Sequence, residues 1–287
     1  MRVVITGANG QLGRALRATL ANASREVGEA SLLNVEFVLV DLPEWDITDP
    51  RQMAQLAELQ PHLVIHCAAM TDVDGCARNP EEAFRVNAFG TQNVALLCQR
   101  AGAAMVYIST NEVFDGTSER PYLEFDEPHP INPYGESKLA GEVVAARLLH
   151  KLYIVRVSWL FAPNGNNFVS KILSRADQHG ELQVVTDEVA NPTYAPDVAE
   201  AIWRLITTEH YGIYHLVNEG YCSRYEYATE ILKQAGRTGI PVRPITRDQF
   251  KRASQPPAFA PLQNMAGAAL GIRLRPWQEA LQDYFRK

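Results

Sequence analysis

The chain has 287 residues, 46% of them hydrophobic, enough to bury a large core in one or two domains. A formal charge of −6 with no run of Lys or Arg argues against nucleic acid or an acidic membrane surface as a partner. No apolar stretch approaches the roughly 20 residues that span a bilayer, and a glycine loop beginning at residue 7 leaves no room for a signal peptide, so the chain reads as cytoplasmic.

The first thirteen residues organise the rest. Val3, Val4 and Ile5 read as a short buried strand, and Gly7, Gly10 and Gly13 follow at intervals of three as the pattern turns helical through Leu12, Leu16 and Leu20. A strand, a glycine turn and a helix start place unpaired N–H groups and partial positive charge where a pyrophosphate can sit. Residues 35–40 form a second strand that ends at Asp41, a position suited to accept hydrogen bonds from adenosine ribose hydroxyls. Asp41 and Glu44 would repel a 2′-phosphate and no Arg follows at once, which favours NAD(H) and leaves NADP(H) open. The segment 21–33 is expected to be a lengthened loop, which explains the long gap between Gly13 and Asp41. As an alternative, Asp41 caps a turn. Asp49 and Pro50 open the next helix as N-cap and first helical residue.

Leu63–His66 reads as a third buried strand, after which Cys67-Ala68-Ala69 offers small residues where a cofactor could lie flat. Asn79-Pro80 starts a helix in which Asn87 is either a satisfied buried amide or part of a proton relay. Met105–Ile108 is a fourth strand running into Ser109-Thr110-Asn111. Strand followed by helix several times over means a doubly wound parallel sheet, whose ligands gather at the carboxyl ends of the strands. Gly7, Asp41, Ala68 and Thr110 all stand at such ends.

A loop rich in proline and acid, 121–133, leads to Tyr134 and Lys138, four residues apart and so on one face of a helix. An ammonium beside a phenol favours the phenolate, so Lys138 is expected to lower the pKa of Tyr134 while Thr110 orients a reacting oxygen. Tyr134 would then protonate a ketone oxygen as hydride arrives from a reduced nicotinamide. Leu152–Val157 is a further strand, and beyond it the pattern becomes mostly helical. The expected division is a dinucleotide-binding part over 1–160 and a smaller, mostly helical substrate domain over 161–287, with some segments returning to the sheet. Of the four cysteines, Cys67 and Cys98 stand in apolar contexts and read as core thiols, and no spacing suggests a disulfide or a metal site.

These motifs resemble the extended short-chain dehydrogenase/reductase superfamily and, within it, the dTDP-4-dehydrorhamnose reductases. The resemblance spans nearly the whole chain. It rests on the three glycines, Asp46-Ile47-Thr48-Asp49, Cys67-Ala68-Ala69-x-Thr71-x-Val73-Asp74, Ser109-Thr110-x-x-Val113-Phe114-Asp115-Gly116 and Tyr134-Gly135-x-x-Lys138. Arg156-x-Ser158-Trp159, Asn167-Phe168, Pro192-Thr193 and Gly212-Ile213-Tyr214-His215-Leu216 extend it and are more specific.

The resemblance implies a Rossmann-type sheet and a cytoplasmic NAD(P)H-dependent reductase that makes dTDP-L-rhamnose from its 4-keto precursor. It implies a nucleotide-sugar substrate and a chain that is a monomer or a homodimer. Gly7, Gly10, Gln11, Leu12, Gly13, Asp41, Asp46, Ile47, Ala68, Ala69, Thr71, Tyr134 and Lys138 would touch the cofactor. Thr110, Asn111, Trp159 and Asn167 would touch the sugar nucleotide, with Thr110, Tyr134 and Lys138 catalytic. Trp159 equally reads as core packing after a buried strand.

Three places depart from the family pattern. Asn111-Glu112 replaces the usual Asp-Tyr. Gln255 and Leu262-Gln263-Asn264 stand where an Arg and a Leu-Asp-Asn are expected, which removes a cation from the diphosphate argument. Ala15 replaces the acidic residue through which some relatives hold Mg²⁺ at a dimer interface, so no such metal is expected. Two other functions stay open: a different nucleotide-sugar reductase or epimerase, and a non-catalytic cofactor-binding subunit like the methionine adenosyltransferase β subunit.

Overall fold

The structure, a computed structural model, describes residues 1–26 and 35–286. Strand β1 (Arg2–Thr6) runs into helix α1 (Gln11–Glu26), and β2 (Glu36–Val40) precedes α2 (Pro50–Glu58). The loop expected from residue 21 is helix as far as Glu26, because α1 continues for 16 residues after the glycine turn. The remainder of that expectation, 27–33, lies outside the described residues. Asp49 caps α2 as read from sequence, its carboxylate accepting from the Arg51 N–H at 2.8 Å with Pro50 in the first turn.

Strand β3 (Leu63–His66) is followed by α3 (Val73–Arg78), α4 (Pro80–Phe84), a wider helical turn over 85–90, and α5 (Thr91–Ala101). Asn79 caps α4 through the Glu82 N–H at 3.2 Å. Strand β4 (Ala104–Thr110), helix α6 (Pro133–Leu148) and strand β5 (Leu152–Val157) complete the repeated units. The rest is β6 (Leu160–Phe161), α7 (Phe168–His179), β7 (Leu182–Val185), β8 (Val189–Ala190), β9 (Thr193–Tyr194) and α8 (Ala195–Ile206), then β10 (Gly212–His215). After it come β11 (Cys222–Ser223), α9 (Arg224–Gln234), β12 (Val242–Ile245), α10 (Ala266–Ala269) and α11 (Trp277–Arg286).

The central sheet, among the described residues, has six strands in the order β10-β5-β4-β3-β1-β2, with every neighbouring pair parallel. Parallel strands carry helices on both faces, which is why Val3, Val4 and Ile5 form an unbroken apolar run. Val3 and Ile5 face a core shared with Leu12 and Leu16 of α1 and Val198, Ile202 and Leu205 of α8. Val4 faces the opposite layer with Met53 and Leu56 of α2 and Val94, Leu97 and Cys98 of α5. Strand order reverses between β1 and β3, and a crevice opens above their carboxyl ends.

Strand β10 and helix α8 are C-terminal segments that belong to this layered body. Helix α10 also packs on this body, against β10, while α7, α9 and α11 pack on a separate core around Phe161, Tyr227, Ile231, Trp277 and Leu281. That part also holds short strand pairs, β6–β9, β7–β12 and β8–β11, which the helical reading did not anticipate. Strands of two to four residues carry too little alternation to be read as such. No helix among the described residues is long and apolar enough to cross a membrane.

Candidate active site

A cleft of about 550 Å³ lies over the carboxyl ends of β1, β2, β3, β4 and β5, a volume in the range of small-molecule sites. Its floor is the glycine turn. Gly7 has φ of +65°, and a Cβ there would stand 2.6 Å from the Ala68 nitrogen. A Cβ on Gly13 would stand 2.3 Å from the Gly7 carbonyl oxygen. Both contacts are with backbone, which cannot swing aside, so only glycine lets β1, α1 and the 67–69 segment approach this closely. The first N–H groups of α1 have no intrahelical partner and open onto the same cleft, which also takes Gln11 and Leu12 in its lining. A side-chain-free turn with free backbone donors fits a dinucleotide pyrophosphate.

Asp41 lines the cleft, and its carboxylate accepts from the Asn9 N–H at 2.7 Å and the Leu42 N–H at 2.9 Å. It therefore braces the loop, and each oxygen keeps a further acceptor position for a ligand hydroxyl. Glu44 is exposed and does not line the cleft, so of the two acids expected to repel a phosphate only Asp41 is in place. Asp46 accepts from both the N–H and the hydroxyl of Thr48 at 2.8 Å, which fixes the turn that presents Ile47. Leu42 and Trp45 add an apolar wall that the sequence reading missed. Their signal was an aromatic residue shortly after an acidic strand end.

Ala68, Ala69 and Thr71 continue the lining, together with Cys67. Cys67 is half-buried and faces the cleft, unlike Cys98, which is fully buried as expected; Cys76 and Cys222 are buried too, and all four thiols are free. The reason is position: Cys67 directly follows the last residue of β3, where the chain turns over the crevice. Burial still pushes its thiol up to about 12. Asn87 resolves as a satisfied buried amide. It accepts from the Met70 N–H at 2.8 Å and donates to the Met70 carbonyl at 3.0 Å and Ser137 Oγ at 2.9 Å, tying this segment to α6.

Thr110, the last residue of β4, caps a short turn over Asn111–Val113 by accepting the Glu112 N–H at 3.2 Å. Helix α6 begins directly against that turn, since a Cβ on Gly135 would lie 2.0 Å from the Glu112 carbonyl oxygen. Asn132 caps α6 through the Gly135 N–H at 2.9 Å with Pro133 in the first turn. These local constraints bring Tyr134 and Lys138 to the same wall as Thr110, and all three line the cleft.

The electrostatics differ from the sequence expectation. Burial drives the Tyr134 phenol well above its ordinary value and the Glu112 carboxylate adds to this, while an interaction with the Thr110 side chain works the other way. Lys138 is not what perturbs Tyr134. It is buried with its Nζ 4.2 Å from the centroid of the Tyr107 ring, and burial pulls it down to about 7 against the opposing pull of Glu142 and Cys67. Desolvation outweighs attraction at this wall. Tyr134 accordingly holds its proton at neutral pH, and Lys138 titrates near it.

Trp159 lines the cleft at an unusual backbone angle for a non-glycine residue, φ +37°. Its ring stacks on Tyr227, with centroids 6.3 Å apart, so it packs on the C-terminal core and lines the cleft at once. Asn111 lines the cleft while donating to the Ala260 carbonyl at 3.2 Å. Asn167 does not line it. Its side chain caps α7 through the Ser170 N–H and donates to Gln11 Oε1 and the Ala162 carbonyl, both at 2.8 Å, so it holds Gln11 in place. Asn166 lines the cleft instead.

Charged residues that sequence reasoning left out of the site cluster beyond Tyr134. Glu112 lines the cleft, and Asn132 Nδ2 donates to its Oε2 at 2.8 Å. Burial raises its carboxyl to about 6, while Asn132, Arg252 and Arg224 pull it back and Glu188 pushes it up. Arg252 pairs with Asp74 at 3.1 Å and with Glu188 at 3.7 Å, and Arg224 reaches Glu188 at 3.5 Å. Single charges in separate stretches carry no spacing signal, although Asp74 and Glu112 stood inside quoted motifs.

The pattern of the RmlD substrate binding domain matches residues 1–287. The spore coat polysaccharide biosynthesis protein SpsK of Bacillus subtilis is 36% identical over 287 residues, covering 100% of this chain and 97% of its own. A dTDP-4-dehydrorhamnose reductase of Mycobacterium tuberculosis is 36% identical over 98% of this chain and 91% of its own. The crystal structure of dTDP-4-dehydrorhamnose reductase from Bacillus anthracis in complex with NADP superposes with a TM-score of 0.91 at 38% identity, over 99% of this chain and 98% of that one.

Proposed function

The chain belongs to the family of the RmlD substrate binding domain, and from that premise we propose that it reduces the 4-keto group of dTDP-4-dehydro-L-rhamnose to give dTDP-L-rhamnose. The observation that carries the reading is Thr110, Tyr134 and Lys138 on one wall of a cleft whose floor is a glycine turn fit for a pyrophosphate. A nicotinamide dinucleotide bound there supplies the hydride. The chain's own residues do the rest. Tyr134 keeps its phenol protonated until the sugar oxygen needs the proton, Thr110 orients that oxygen, and Lys138 holds a proton it can exchange near pH 7.

Gly7, Gly10, Gln11, Leu12 and Gly13 would hold the pyrophosphate, with Asp41, Asp46, Ile47, Ala68, Ala69 and Thr71 along the rest of the dinucleotide. Asn111 and Trp159 would meet the sugar nucleotide. Either NADH or NADPH suits such a floor, and NADH is the favoured donor. What supports this is Asp41, a lining carboxylate that would repel a 2′-phosphate, and Arg85, a lining cation already held by Glu82 at 2.6 Å. A second reading, reduction of a different 4-keto nucleotide sugar, draws on Glu112, a carboxyl on the sugar side of the cleft where the family pattern has Tyr.

The test is nicotinamide oxidation by the purified chain with dTDP-4-dehydro-L-rhamnose and each donor. Turnover is expected, with kcat/KM about tenfold higher for NADH, a 1.4 kcal/mol preference that Asp41→Ser shifts toward NADPH. No turnover with either donor contradicts the activity, and an NADPH preference contradicts the role of Asp41. Turnover of another 4-keto nucleotide sugar alone decides for the second reading.

A further inference from the structure

The family pattern expects an Arg at position 255, and this chain has Gln255, which is exposed and contributes only its backbone carbonyl, accepting from Asn132 Nδ2 at 3.3 Å. A cation is nevertheless present in the same corner. Asn132 also donates to Glu112 at 2.8 Å, and Glu112 senses the charge of Arg224, the first residue of α9. The Arg224 guanidinium lies 3.5 Å from the centroid of the Trp159 ring, and Trp159 lines the cleft. This is close cation–π stacking, which fixes the plane of the guanidinium against the cleft wall.

We propose that Arg224, seated on Trp159, is the cation that binds the diphosphate of the nucleotide sugar, in place of the Arg missing at 255. The proposal rests on the nucleotide-sugar reading above.

Four features of the corner lead to it. Arg224 and Arg252 share one carboxylate, Glu188, at 3.5 and 3.7 Å, and Arg252 has a second, Asp74, at 3.1 Å. Arg224 is therefore the less neutralised of the two. Neither Nη1 nor Nη2 of Arg224 has a hydrogen-bond partner among the described residues, and the side chain keeps 19% of its surface exposed. The guanidinium thus offers a planar pair of donors, the geometry that takes two phosphate oxygens at once. Burial also pulls its pKa down against the pull of Glu188 and Glu112, so a further anion beside it relieves a desolvated cation. Trp159 holds its platform position at a φ of +37°, an angle that a residue free to relax would leave.

The experiment is calorimetric titration of the full chain with dTDP, thymidine and NADH, for the wild type, Arg224→Met, Arg224→Lys and Arg252→Met. Methionine keeps the stem against Trp159 and removes the charge. Arg224→Met is expected to weaken dTDP at least about tenfold, leave thymidine and NADH within about twofold, and be partly rescued in Arg224→Lys. Arg252→Met is expected to weaken dTDP less, because two carboxylates already occupy that cation. The assignment is overturned if Arg224→Met binds dTDP like the wild type, if it loses all three ligands together as a mere packing clamp would, or if Arg252→Met has the larger effect. Failure of the wild type to bind dTDP would instead sink the nucleotide-sugar reading itself.

Discussion

The two sides of the cleft are built from different materials. The floor proposed for the dinucleotide is a glycine turn with small side chains, drawn from two short contiguous stretches, 7–13 and 67–71, that exclude by shape, with the Asp41 carboxylate beside them. The wall beyond Tyr134, proposed for the sugar nucleotide, carries charge: Glu112 lines the cleft, and around it Asp74, Glu188, Arg224 and Arg252 come from four further stretches and meet only in the fold. A floor set by steric exclusion tolerates no added atom, whereas a wall of paired charges can trade one cation for another.

The largest expected effect tests what both sides stand on. Beneath them Arg156 forms a two-point ion pair with Glu142, Nε to Oε1 at 2.9 Å and Nη2 to Oε2 at 2.7 Å, with both side chains almost fully enclosed. Removing one partner of such a pair strands the other, so Glu142→Ala is expected to cost about 3–5 kcal/mol, measurable by denaturant unfolding. A loss under about 1 kcal/mol would mean that solvent reaches Arg156.

Gly13→Ala separates the two sides. The added Cβ meets the Gly7 carbonyl oxygen at 2.3 Å and the Ala8 Cα at 2.7 Å. A destabilisation of about 1–3 kcal/mol is expected, with NADH binding weakened and dTDP binding unchanged. Equal weakening of both ligands would erase the distinction between floor and wall.

A smaller, pH-dependent effect probes the wall. Burial raises Glu112 from its ordinary value to about 6, so the folded chain holds this proton more tightly than the unfolded one. The favourable contribution is complete below the unfolded value, near pH 4.5, and is lost as pH rises through about 6. Glu112→Gln removes the dependence, so its stability relative to the wild type should improve by about 1 kcal/mol across that interval. A relative stability independent of pH would show that Glu112 is freely solvated.

Legibility from sequence follows the same division. Gly7, Gly10, Gly13, Asp41 and the Tyr134/Lys138 spacing are readable because each depends on a local element, a turn, a strand end or one helix face. Asn87 was open between two roles because its partners, Met70 and Ser137, lie 17 and 50 residues away. Asn167 faces Gln11 and the Ala162 carbonyl rather than the cleft for a related reason: sequence gives the neighbourhood of a side chain but not the direction it points. The perturbation of Tyr134 was expected from Lys138 and comes from burial and Glu112, since desolvation depends on the whole fold. Arg224 and Glu188 carried no pattern at all.

The most direct test of the proton-donor assignment is a single-turnover comparison of wild type and Tyr134→Phe with NADH and dTDP-4-dehydro-L-rhamnose, alongside NADH binding to each. A loss of about 10²–10⁴-fold in the rate of NADH oxidation, with NADH affinity unchanged, is the outcome that a half-buried, protonated Tyr134 requires. Undiminished oxidation in Tyr134→Phe would contradict it and assign the proton to another group on the wall.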